Sequence, residues 1–160
     1  QEEPNFDEYL RLKDILKNHP ADWQSYSNRL RAFLKKTGND DLVFRIAIDQ
    51  GDCAGIQTRL AEAAQTPAAL LAVSGLILEK QSPEIMEIYP QLIRLLLAEK
   101  IFSCWNTALK MLIVYKKLCW QTGRTGEWEV FRRELLGEHP DDNRFRRKFG
   151  AVLANESLID

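Results

Sequence analysis

Residues 103–125 read SCWNTALKMLIVYKKLCWQTGRT. Trp105, Ala108, Leu109, Leu112, Ile113 and Cys119 recur at helical spacing and form a wide apolar face. A strand would instead alternate apolar and polar residues. Gly123-Arg124-Thr125 then supplies a turn signal. The stretch predicts a long helix over about 103–122, the longest of the chain.

Working outward, the same grammar repeats on both sides. Towards the C-terminus, Trp128, Phe131, Leu135 and Leu136 mark a helix starting at Thr125, and Phe145, Phe149, Val152 and Leu153 mark another after Pro140. Towards the N-terminus, Ser82-Pro83-Glu84 and Thr66-Pro67 pair a capping hydroxyl with a proline whose missing N–H costs nothing in a first turn. Pro90 lies inside an apolar pattern and is expected to kink or split that helix, since it removes a hydrogen bond and crowds the preceding turn. Leu92, Ile93, Leu95, Leu96 and Leu97 then describe a helix apolar on most sides, as an inner layer requires. Gly51 and Gly38 are plausible stops for helices over about 40–50 and 20–36, and a first helix covers about 6–18. The predicted architecture is all-α: eight or nine helices in antiparallel hairpins, as a globular bundle or as a TPR-like right-handed α-solenoid, an α-α superhelix. The solenoid is preferred because of an internal echo. Asp22-Trp23, Tyr26 and Leu30 repeat as Glu127-Trp128, Phe131 and Leu135, three anchors on one helix face each time.

Composition bounds the rest. The chain has 160 residues, 45% of them hydrophobic, which suits a single domain, 1–160, or one piece of a longer chain. Lys plus Arg is 22 against 23 for Asp plus Glu, so a general polyanion binder is not expected. Cys53, Cys104 and Cys119 are too scattered for a disulfide framework or a zinc knuckle, and reduced thiols suit a cytoplasmic protein. Cys53, near a helix start, is the least inert of them. The opening Gln1-Glu2-Glu3 shows no signal peptide, and the uncharged run between Glu62 and Glu79 is too short to span a membrane.

Ala21-Asp22-Trp23, the Leu42–Asp49 stretch with Gly51-Asp52, Pro83–Tyr89, Trp105–Tyr115, and Glu127-Trp128-Glu129-Val130-Phe131 with Glu138-His139 together resemble the helical C-terminal region of bacterial SWIM zinc-finger proteins. The resemblance implies TPR-like helical repeats and contacts with protein or DNA. The SWIM motif, Cys-x-Cys followed by Cys-x-His, has no counterpart here, so no metal site is carried over.

No HExxH, GxSxG or phosphate-binding glycine loop occurs. His19 and His139 each precede a proline and read as helix-boundary residues. Asp40, Asp41, Asp141 and Asp142 read as helix-start residues. No catalytic residue, cofactor or metal is therefore expected, and the chain is read as non-enzymatic. The site-like signals are basic. Arg144 and Arg147 share a helix face, as do Arg144 and Lys148, while Phe145 and Phe149 occupy a different one; Arg132 and Arg133 lie upstream, and a second patch lies at 29–36. Glu134, Glu138, Asp141 and Asp142 are expected to neutralise the first cluster locally. Trp120, off the main apolar stripe, is a candidate anchor for a partner. The expected function is a protein-interaction scaffold that binds a protein or peptide through Trp120, Arg132, Arg133, Arg144, Arg147 and Lys148, without a membrane. The alternative is a nucleic-acid-associated helical domain using the patches at 29–36 and 132–148.

Overall fold

A computed structural model describes residues 4–62 and 66–154. Among the described residues there are nine α-helices and no strand. The chain divides into two compact units, Gln1–Asp52 and Cys53–Asp160.

In the first unit, α1 (Phe6–Ile15), α2 (Pro20–Thr37) and α3 (Asp40–Asp49) follow one another with short turns. Local chemistry sets each boundary. The Asn5 side chain accepts the Glu8 N–H at 2.9 Å and opens α1. Pro20 occupies the first turn of α2. Gly38 closes α2 at φ 67°, a left-handed conformation that side chains resist, with its N–H on the Leu34 carbonyl at 3.1 Å. Asn39 then caps α3 through the Leu42 N–H. Gly51, at φ 66°, lets the Asp52 N–H turn back to the Ala47 carbonyl at 2.9 Å.

The core of this unit is Tyr9, Leu30, Leu34, Leu42 and Ile46, with Phe6, Trp23, Tyr26 and Val43 packed against it. A run of rings crosses it: Phe6 on Tyr9 at 5.6 Å, Tyr9 on Trp23 at 5.4 Å, and Trp23 on Tyr26 at 5.9 Å between centroids. The Tyr9 hydroxyl is not left unpartnered. It donates to Asp49 Oδ2 at 2.8 Å, and Lys13 donates to the same oxygen at 2.6 Å, pinning α1 to the end of α3.

The second unit holds α4 (Cys53–Glu62), α5 (Pro67–Lys80), α6 (Tyr89–Ala98), α7 (Phe102–Gln121), α8 (Thr125–Glu138) and α9 (Asn143–Ala154). The predicted fourth helix ran on to Gln65, and its last residues lie outside the described ones. Thr66 caps α5 through the Ala69 N–H, and Ser82 caps a 3₁₀ segment, Pro83–Ile88. That segment runs directly into α6, with Pro90 in the first turn. The proline thus splits the pattern into a 3₁₀ piece and an α-helix, and its absent N–H falls where no intrahelical partner exists.

The α7 helix is the hub, touching α5, α6, α8, α9 and the 3₁₀ segment. Its buried side chains are Cys104, Trp105, Ala108, Met111, Leu112, Tyr115, Lys116, Leu118 and Cys119. The expected stripe included Leu109 and Ile113, but Leu109 is half-buried and Ile113 is 46% exposed. Met111, Tyr115 and Leu118 take their places. A helix apolar over much of its circumference leaves more than one stripe open, and the neighbours packed against it select one. In α6, Leu92, Ile93, Leu96 and Leu97 are buried.

Three tyrosines share a consequence of burial. Tyr89 is fully buried and pushed up from 10.0 to about 12 by loss of water. Tyr115 is raised by burial and by the adjacent Cys119 thiol, and Tyr9 by burial and its Asp49 partner. Each phenol stays protonated in the fold at a pH where the unfolded chain ionises. Their stabilising contribution is therefore complete below about pH 10 and is lost as pH rises through the raised values. Stability is expected to fall by up to ~1.4 kcal/mol per pH unit per tyrosine between pH 10 and 12. Urea midpoints across that range check this. In a Tyr26→Phe background, which removes the half-exposed fourth phenol, tyrosinate absorbance should appear together with loss of helical signal, and tyrosinate forming in the intact fold at pH 10 would contradict it.

Candidate functional site

Of the sequence-predicted basic residues, the 29–36 patch sits on α2; Arg132, Arg133, Arg144, Arg147 and Lys148 sit on α8 and α9, and the fold separates these five into two groups. On α9, Phe145, Phe149, Val152 and Leu153 are buried. Trp105 of α7 packs on this face, edge-on to Phe145 at 6.4 Å and tilted against Phe149 at 5.6 Å. Its indole N–H donates to the Leu97 carbonyl at 3.1 Å, which locks the ring. His139 stacks on the far side of the cluster, 4.2 Å from Phe145.

Beside this aromatic cluster lies a cleft of about 500 Å³ lined by Phe102, Trp105, Asn143, Arg144, Arg147 and Lys148. The Arg144 guanidinium lies 5.0 Å from the Trp105 ring centroid, and the Lys148 ammonium lies 4.8 Å from that of Phe102. Both are cation–π distances. Lys148 also donates to Asn106 Oδ1. Phe102 is 67% exposed, so an apolar ring and three cations meet solvent together.

The expected local neutralisation of this cluster does not occur. Glu134 and Glu138 are taken by Arg94 of α6, at 2.8 and 2.9 Å. Asp142 instead caps α9, accepting the Phe145 N–H at 2.9 Å. Arg144, Arg147 and Lys148 have no carboxylate within ion-pair distance among the described residues. The sequence places the glutamates near in number, but an α6 arginine 40 and 44 residues away reaches them first.

The other three candidates lie elsewhere and are engaged. Arg132 pairs with Glu129 at 2.9 Å and donates to the Leu153 carbonyl at 3.0 Å, tying α8 to the end of α9. Arg133 donates to the Glu129 carbonyl. Trp120 is half-buried, with the Lys116 ammonium 5.8 Å from its ring. Lys116 itself is buried, donates to the Val152 carbonyl, and is pushed down by burial and by the nearby Arg132 charge. Phe102 and Asn143, which line the cleft, were not singled out from sequence, and Trp105 was read only as core. An isolated phenylalanine at a helix start carries no pattern that announces exposure.

The cysteines are built into the packing. Burial raises the Cys104 and Cys119 thiols, which disfavours their thiolates. Cys53 is half-buried, and its thiol donates to the Glu84 carbonyl at 2.9 Å. Among the described residues, no group of three or more His, Cys, Asp or Glu side chains is arranged to hold a metal ion, and no helix is long and apolar enough to cross a membrane. Comparison of the chain with family models, curated proteins and solved structures finds no match.

Proposed function

We propose that this chain is a non-enzymatic protein-interaction module, and that the Cys53–Asp160 unit meets its partner through the cleft between α7 and α9. The observation that carries the reading is the meeting of an exposed phenylalanine, in one concave place, with three cations that have no carboxylate within ion-pair distance among the described residues. Arginine and aromatic side chains gathered in one concave place are the groups that anchor partner proteins.

The stacked-hairpin, TPR-like right-handed architecture belongs to the same proposal. It is supported by the contacts of α7 with its next-but-one neighbours α5 and α9 as well as with α6 and α8. Kinship with the helical region of SWIM zinc-finger proteins and a cytoplasmic setting complete it.

A second reading, nucleic-acid association, is favoured by the same unneutralised trio, Arg144, Arg147 and Lys148. One experiment separates the two. A benzophenone amino acid replaces Phe102, and in a second variant the exposed Lys117, before irradiation in native extract with and without nuclease. The protein-binding reading expects a discrete nuclease-resistant protein adduct from position 102, absent from position 117 and lost when Arg147→Glu is added. Adducts that disappear with nuclease would transfer the assignment to nucleic acid. Identical adducts from both positions would remove the cleft from it.

A further inference from the structure

We infer that the occupant of the α7–α9 cleft is an acidic segment of a partner protein, its carboxylates on Arg144, Arg147 and Lys148 and one apolar side chain against Phe102. The inference rests on the protein-binding reading above and names the chemistry of the partner.

Charge complementarity is the first ground. The whole chain carries a formal charge of −1, so the positive character of the cleft is local and not a property of the surface at large. It arises because Arg94 pairs with Glu134 and Glu138, while Asp142 keeps its charge and turns its carboxylate to the first turn of α9 without pairing with a cleft cation. Asp141, on the preceding turn, is exposed.

Preorganisation is the second. Arg144 is held over Trp105, and Lys148 is held between Phe102 and Asn106. Ordering them on binding therefore costs less than ordering free side chains. Arg147 makes no hydrogen bond, ion pair or ring contact among the described residues, which leaves its planar donor fork open to a carboxylate.

The aromatic geometry decides between an acidic peptide and a nucleic acid. Single-stranded nucleic acid is gripped by successive bases on open rings along a basic track. Here Trp105 is only 4% exposed and lies under Arg144, which leaves Phe102 as the single exposed ring among the residues that line the cleft. The track is also short, because Arg132 is already paired with Glu129 and bonded to Leu153. One apolar foothold flanked by three cations fits a side chain such as leucine between carboxylates.

The test uses the full chain and three fluorescent probes in low salt, read by anisotropy. The first is a peptide of about a dozen residues made of Asp and Glu around one Leu. The second is the same peptide with Asn and Gln, and the third is an oligothymidylate of similar length. The acidic peptide is expected to bind, the amide peptide to bind about tenfold more weakly or worse, and added salt to weaken the complex. Arg147→Glu should weaken acidic-peptide binding by about tenfold or more, and Phe102→Ala by severalfold. Lys117→Glu, a like reversal of charge on an exposed α7 residue outside the cleft, should leave it unaltered. Helical circular dichroism confirms that each variant is folded.

Equal binding of acidic and amide peptides overturns the inference, as does tighter binding of the oligothymidylate. So does a Lys117→Glu loss matching that of Arg147→Glu, which would indicate diffuse attraction. Failure of the acidic peptide while the position-102 protein adduct persists removes the acidic-segment inference and leaves the protein-binding reading standing. Failure of both removes both.

Discussion

Replacing Trp128 with alanine is expected to destabilise the Cys53–Asp160 unit by about 3–5 kcal/mol, the range for emptying a buried aromatic site. Trp128 is fully buried at 0% exposure, 6.3 Å from the Tyr115 ring and 5.6 Å from the Lys116 ammonium. A loss of that size is a large share of the stability an ordinary domain possesses. Urea denaturation followed by circular dichroism measures it, and an unchanged midpoint would contradict the packing described. The indole N–H has no hydrogen-bond partner among the described residues. Trp128→Phe should therefore cost much less than Trp128→Ala, because it keeps a ring in the site and removes a buried donor that is unfavourable when unpaired.

Trp105→Ala has the second large expected effect, also about 3–5 kcal/mol. Its ring is the contact of α7 with Phe145 and Phe149 of α9, and its loss also removes one of the hydrogen bonds to the Leu97 carbonyl, which still accepts the Lys100 N–H at 3.3 Å. Trp105→Phe isolates the hydrogen bond. It keeps an aromatic ring at the site but loses the donor, for an expected cost of about 1 kcal/mol. If the phenylalanine variant were as unstable as the alanine variant, the hydrogen bond and not the packing would dominate. Trp23→Ala should cost less than either. Trp23 is the echo of Trp128 in sequence, yet it is only half-buried, at the edge of the first unit's core beside Tyr9 and Tyr26.

That contrast shows how much of the molecule could be read from the chain alone. Acidic-Trp-x-x-aromatic-x-x-x-Leu gives the same helix face in both places because helical spacing is a local property. How deeply each face is buried depends on what packs over it. Trp128, Phe131 and Leu135 are all buried, whereas Trp23 and Tyr26 remain half-exposed beside a buried Leu30.

The candidate site divides in the same way. The shared face of Arg144, Arg147 and Lys148, and its difference from the face of Phe145 and Phe149, follow from the wheel of one helix. Their expected neutralisation failed because sequence proximity is a poor guide to ion pairing. Across a helix boundary, Glu134 and Glu138 point towards α6, where Arg94 supplies a bidentate partner. Phe102 had no legible role, because whether an apolar residue at a helix start is covered depends on neighbours that its own helix does not specify.

What the sequence by itself determined is the order and the limits of the helices. Asn5, Asn39, Thr66 and Ser82 cap the N–H groups nearest to them, Pro20, Pro67 and Pro90 occupy first turns, and Gly38 and Gly51 take left-handed stops. These choices involve atoms within a few residues, so they need no tertiary partner. Tertiary structure alone decided which stripe of α7 became buried, which carboxylates Arg94 captured, and so which cations were left facing the cleft. Burial and ion pairing depend on distances between residues far apart in the chain, and only packing sets those distances.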